Sequence, residues 1–197
     1  MLSEFKAKDG RTVTFRALRR RDLKVLLKFA NAMVRERATN PDLGMVSFDR
    51  RVTRADETKY LNRIIAGTRN KEVVSIAAFV GEEMVGHCDV WRRKLGDINH
   101  TGVLGIVIRK EYRGIGVGEM LISEALRAAK RIGVWLVELT AFTNNSAAVR
   151  LYEKMGFLKV GVIPNKILRA GRHYDEMVMF VDLRGSDKST PEGRGKS

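Results

Sequence analysis

The stretch "TGVLGIVIRKEYRGIGVGEMLISEALRAAKRIG" (residues 101–133) constrains the fold more than any other part of the chain. It begins with an apolar run of strand length, 101–108. Glycines 114, 116 and 118 then alternate with aliphatic residues, and an amphipathic stretch follows. Leu121, Ala125 and Ile132 recur down one side of that stretch, with Ile122, Leu126 and Ala129 beside them, which is a helical period. Glu119 falls near the positive end of the helix and Lys130 and Arg131 near the negative end, as its dipole favours, and Gly133 ends it. Glycines in such a turn mean that something approaches the main chain closely, or that φ turns positive.

The flanking sequence supplies further strands and helices. Val13 and Phe15 alternate with polar residues as on a half-buried strand. Asp22 is placed to cap a helix with Leu23, Leu26, Leu27, Ala30 and Val34 on one face. Pro41 and Gly44 break a loop, and "ADETKYLNRIIAG" reads as a second helix capped at its end by Gly67. "VVSIAAFVGEEMVGHCDVW" reads as two strands about a turn at Gly81–Glu83. Beyond the central unit come a strand in "VWLVELTA", a helix in "NSAAVRLYEKM" ended by Gly156, and strands in "LKVGVI" and "EMVMFVDL". The order β-α-α-β-β-β-α-β-α-β-β predicts an α/β fold. Its mixed, mostly antiparallel central sheet has about seven strands, flanked by four helices. Residues 1–183 are expected to form a single domain. Residues 184–197, with no apolar side chain, are expected to be a disordered basic tail.

A strand, a glycine loop and a helix N-terminus together make an anion site, because the free N–H groups of the first helical turn point outward. Arg113 and Lys110 add positive charge there. Spacing separates the cofactor classes. A phosphate loop of the Walker type ends in Gly-Lys-Ser/Thr, whereas this one ends "GVGEM". A dinucleotide fingerprint counted from Gly114 requires a third glycine at 119, which is Glu119. The pattern that fits is Arg-x-x-Gly-x-Gly at Arg113, Gly116 and Gly118.

That pattern, in "YRGIGVGEMLISEALRAA", resembles the acetyl-CoA pyrophosphate loop and helix of the GNAT superfamily of N-acetyltransferases. About 30 residues later "NNSAAVRLYEKMGF" is similar to the same family's second signature, Asn-x-x-Ala-x-x-Leu-Tyr-x-x-x-Gly-Phe. The resemblance runs from about Val13 to Leu183, with one departure, Lys110 where many relatives have proline. It implies the acyl-CoA N-acyltransferase fold and acetyl-CoA as cofactor. On this resemblance the main chain of Ile106 and Ile108 would pair with the pantetheine arm, and Val107 between them would also be a cofactor-binding residue. The amides of Arg113, Gly114, Gly116, Val117 and Gly118 would hold the pyrophosphate. Asn145 would bond the cofactor, and Tyr152 would stand near the thioester sulfur. A β-branched residue at Gly116 is accordingly expected to block the phosphate and leave the fold mostly intact.

In such a transfer a neutral amine attacks the thioester and a thiolate leaves. Deprotonating a lysine-type amine at pH 7 costs roughly 4–5 kcal/mol, and an α-amine only about 1. Tyr152 is the candidate acid, although it also shares a helical face with Ala148, Leu151 and Met155. Glu138 is the first candidate base and His100 a second acceptor-side candidate, with Glu36 and Asp89 behind them. No metal site is expected: the only cysteine, Cys88, reads as a buried thiol, and His87 and His173 carry no metal spacing.

Charge enters last. The chain has 37 Lys+Arg against 23 Asp+Glu, a net +14. Such a surface attracts anionic cofactors, acidic partners or nucleic acid. A nucleic-acid-associated binding protein on the same fold is therefore the rival reading, although the basic clusters lack interleaved aromatics. The charge, and the few acidic residues in "ATNPDLGM" and "PNKILRAGRHYDE", favour a protein or peptide amine, or an amino-acid-like acceptor, over a polyamine. A homodimer is allowed. No membrane partner is expected, and a cytoplasmic location is, because no long apolar span or secretory signal is seen.

Overall fold

The computed structural model describes residues 2–40 and 50–184. Their elements are β1 (Leu2–Lys6), β2 (Thr12–Arg16), α1 (Leu23–Thr39), α2 (Arg54–Arg69), β3 (Val73–Val80), β4 (Glu83–Arg92), β5 (Thr101–Ile108), α3 (Val117–Arg131), β6 (Leu136–Phe142), α4 (Ser146–Lys154), β7 (Leu158–Arg169) and β8 (Arg172–Asp182). All eight strands form one sheet in the order β1-β2-β3-β4-β5-β6-β8-β7. Every pairing is antiparallel except β5 with β6. The mixed sheet with four helices is as the sequence predicts. The eighth strand, β1, is a short edge strand in which Phe5 packs against the core, and its five residues carry too little periodicity to announce it.

Each face of the sheet has its own core. On one, α3 packs Val117, Leu121, Ile122, Ala125 and Ala129 onto Cys88 and Val90 of β4, Leu104 of β5, and Val137 and Leu139 of β6. On the other, α1 and α2 pack Leu26, Phe29, Met33, Leu61 and Ile64 onto Val73, Ala77, Phe79 and Met84. The buried stripe of α1 is thus Leu26–Phe29–Met33. It is rotated from the expected face because the larger Phe29 and Met33 take the interior.

Two end signals behave differently from expectation. Gly67 is not a cap: α2 runs on to Arg69, and a Cβ on Gly67 would lie 2.8 Å from Val73 Cγ1. The bare residue lets α2 descend onto β3. Asp22 does not cap α1 with its side chain; its carboxylate accepts from the Arg19 amide (2.7 Å) and the Arg16 guanidinium (2.6 Å). Gly133 and Gly156 do close α3 and α4, at φ +85° and +86°, where a left-handed residue is needed. The expected loop at Pro41 and Gly44 and the tail from residue 185 lie outside the described residues. Arg184 itself ion-pairs with Asp182 and covers the Trp135 ring.

Candidate functional site

The site begins where β5 and β6 part. They pair only through Thr101–Leu136, Gly102–Val137 and Val103–Glu138, then diverge. In the antiparallel β4–β5 ladder, hydrogen-bonded pairs alternate. Because Arg93 N–H donates to Thr101 O and Arg109 N–H to Val85 O, the odd-numbered residues of β5 face β4. The main chains of Leu104, Ile106 and Ile108 therefore face the opening. The main chain of Val107, between them, is turned to His87 of β4, so the structure does not bring this cofactor-binding candidate to the opening through its backbone. On the far wall the same alternation, set by Thr143–Asp175 and Leu183–Trp135, turns Thr140 and Phe142 toward the notch. A row of unmatched backbone groups of this kind is a template for an extended ligand.

The loop from β5 to α3 stands at the mouth of this notch. Gly114 and Gly116 adopt φ +75° and +97°. A Cβ on Gly114 would meet nothing within 4 Å, so space is open there. At Gly116 a Cβ would lie 2.8 Å from Phe5 Cζ, and at Gly118 one would lie 2.9 Å from Leu151 Cδ2 and 3.2 Å from Ile108 Cδ1. Gly118 is thus where the end of β5, the first turn of α3 and α4 converge. The loop is also braced by the β1–β2 turn. Lys8 N–H donates to Ile115 O (3.2 Å), and Arg11 donates to Glu111 O (2.9 Å) while its guanidinium lies over the Tyr112 ring. Arg113 is not a free cation at the helix terminus. Its guanidinium forms a two-pronged pair with Glu36 of α1 (2.6 and 2.7 Å), and its Nε–H donates to Ile108 O (2.9 Å). Lys110 stands exposed beside it.

Asn145 and Tyr152 come from the far side of the notch. The Asn145 side-chain oxygen accepts from the Ala148 amide (3.2 Å), capping α4 and leaving its N–H2 as the group free to donate elsewhere. Tyr152 is buried, edge-on to Phe157. Burial, with the Cys88 thiol nearby, holds its phenol well above the usual range. It is therefore a protonated donor at neutral pH.

The other candidates separate. Glu138 reaches the face opposite α3 but is ion-paired to Arg93 at 2.9 Å. His100 lies at the paired end of β5, stacked on Trp135 at 4.1 Å, so the structure does not bring it to the opening. On the face covered by α1 and α2, sequence reasoning missed a polar group. Tyr60 of α2 donates to Asp89 Oδ2 (3.2 Å), Trp91 Nε1–H donates to the same oxygen (3.0 Å), and buried His87 contacts Ser75 Oγ (2.8 Å). Burial holds the His87 imidazole low, hence neutral, and raises the Tyr60 phenol.

Glu57, also on α2, is 2% exposed, and its Oε2 has no hydrogen-bond partner among the described residues. Burial, helped by Asp56, pushes its carboxyl up to about 7 from 4.5. Between those values the folded chain holds a proton that the unfolded chain releases, so this group lowers stability as pH rises through that window. Glu57→Gln is expected to stabilise the fold by about 2–3 kcal/mol at pH 8 and to change it little at pH 4. Denaturant unfolding at the two pH values measures this.

Parted parallel strands, a positive-φ loop opening a helix and a second helix bearing a buried tyrosine are gathered at this end of the sheet. The class is that of the acyl-CoA N-acyltransferases. Residues 42–157 match the model of the acetyltransferase (GNAT) family, and the chain belongs to that family. It is 27% identical over 175 residues to YwnH of Bacillus subtilis, which carries the provisional name phosphinothricin acetyltransferase; the match covers 87% of this chain and 99% of that one. It is 26% identical over 111 residues to the L-amino acid N-acetyltransferase AaaT of Escherichia coli, covering 54% and 67%. The solved structure of yncA from Salmonella typhimurium with its cofactor acetyl-CoA shares the fold at a TM-score of 0.74 and 19% identity, over 91% and 98% of the chains.

Proposed function

We propose that this domain, residues 1–183, moves an acetyl group from acetyl-CoA to a primary amine by direct attack on the thioester. The observation that carries the reading is the notch: main chain of Ile106 and Ile108 unmatched by β6, followed by open space at Gly114 and the N-terminus of α3. The donor supplies an activated acyl carbon. Ile106 and Ile108 would hold its arm, Ile108 through its N–H because Arg113 occupies its carbonyl. The amides of Arg113, Gly114, Gly116, Val117 and Gly118 would take the pyrophosphate, and Asn145 would donate to the arm. Tyr152 gives its phenolic proton to the departing sulfur. In this reading the amine comes from the α1–α2 face of the sheet, opposite α3.

The acceptor in this reading is an amino-acid-like molecule or a protein or peptide amine. Relatives named for amino acids support it, as does the net +14 charge, which repels polyamines in bulk. The test is thiol release from acetyl-CoA across amino acids, N-terminal peptides, lysine peptides and polyamines. An α-amine with the highest kcat/KM is expected. A polyamine in that place overturns the acceptor. Absence of both acetyl-CoA binding and turnover, with salt-dependent DNA binding instead, favours the rival reading that the charge supports.

A further inference from the structure

We infer that Asp89 receives the ammonium of the acceptor, at the carboxylate oxygen that faces bare Gly105. The inference rests on the acetyl-transfer reading and names the group that recognises the amine. The two other carboxylates that the sequence offers for the acceptor side are engaged: Glu138 is paired with Arg93, and Glu36 is held by Arg113. Asp89 makes no ion pair among the described residues, yet it is firmly held. Both donors to it, Tyr60 and Trp91, are neutral, and both use Oδ2. A carboxylate oriented by neutral donors keeps its full charge for an incoming cation.

Placement supports the same conclusion. Asp89 pairs with Gly105 across the β4–β5 ladder, and a Cβ on Gly105 would stand 2.9 Å from Asp89 Oδ1. Gly105 is exposed and lies two residues beyond Val103, the last residue of β5 paired to β6. A Cβ on Gly105 would meet no other atom within 4 Å, so Oδ1 is uncovered on the side of Gly105. Its side of the sheet is the α1–α2 face, opposite α3, so an amine held there approaches from the side away from the helix whose N-terminus would hold the pyrophosphate.

The proton balance is simple. An acceptor R–NH3+ held at Oδ1 sheds one proton to solvent past the carboxylate, and the neutral nitrogen forms the C–N bond as the C–S bond breaks. The nitrogen loses a second proton as the amide forms, and the departing sulfur gains one. The net release is a single proton.

Asp89→Asn keeps an oxygen for Tyr60 and Trp91 and removes only charge. It should lower kcat/KM for the best acceptor by about 10- to 100-fold, the range of a charge-assisted hydrogen bond, chiefly through KM. Acetyl-CoA affinity by calorimetry should stay unchanged. Gly105→Ala, which crowds Oδ1, should raise the acceptor KM with little effect on the donor. A second readout does not depend on turnover. The chain has two tryptophans, and only the Trp91 indole N–H is bonded to Asp89. Titration with n-propylammonium chloride should shift the Trp91 indole resonance saturably in the wild type and not in Asp89→Asn, with Trp135 unmoved in both. Acceptor KM within threefold of wild type in Asp89→Asn, or an unmoved Trp91 resonance in the wild type, overturns the assignment. Loss of acetyl-CoA binding by the wild type would instead sink the reading beneath it.

Discussion

A Tyr152→Phe protein is expected to bind acetyl-CoA as tightly as the wild type and to turn over about 10²–10⁴-fold more slowly. The ring is buried beside Phe157, and the substitution keeps it, so packing changes little. What is lost is a proton that burial keeps on the phenol at neutral pH. A thiolate that leaves unprotonated is a poorer leaving group, and the deficit should fall on kcat. Calorimetry with acetyl-CoA and steady-state kinetics with the best acceptor separate the two quantities. Turnover at the wild-type rate would return Tyr152 to a purely packing role.

Gly116→Val should be the most disruptive single change in the loop, and disruptive to the fold as well as to the ligand. Two costs combine. Valine at φ +97° is strained by about 1–3 kcal/mol, and its Cβ would press within 2.8 Å of the Phe5 ring. Overpacking of that kind adds about 1–3 kcal/mol. Unfolding in denaturant should show a loss of about 2–6 kcal/mol, and acetyl-CoA affinity should fall sharply in whatever folded fraction remains. The expectation that the fold would survive such a change intact followed from treating the missing side chain as room for phosphate. The geometry gives that room to Gly114, and fills the space at Gly116 with Phe5. Unchanged stability in Gly116→Val would show that Phe5 and the loop yield freely.

What could be read in the sequence was local. The strand, loop and helix from Thr101 to Arg131 are contiguous, and their helical period, glycine spacing and end charges sit within a few turns of one another. Asn145 to Phe157 was legible for the same reason. What could not be read depends on register between distant segments. That Ile106 and Ile108 offer their main chain to the notch follows from the pairing of Arg109 with Val85 and of Val107 with His87; only the family resemblance, not spacing, pointed to it. Glu36 and Arg113 lie 77 residues apart, and no spacing rule connects them. Asp89 ranked low as a lone carboxylate on a strand; its position over Gly105 and between two neutral donors exists only once β4, β5 and α2 are assembled. Glu138 ranked high, until the sheet placed Arg93 beside it.

The β1–β2 hairpin reaches the loop through Phe5, Lys8 and Arg11, and all three precede residue 42, where the match to the family model begins. The signature that identifies the chain is therefore not self-supporting. A chimera carrying residues 101–133 into another scaffold would take the glycines and leave behind the ring and the two donors that set their conformation. Portability of the motif ends at its neighbours, and Phe5, Lys8 and Arg11 have to travel with the loop they brace.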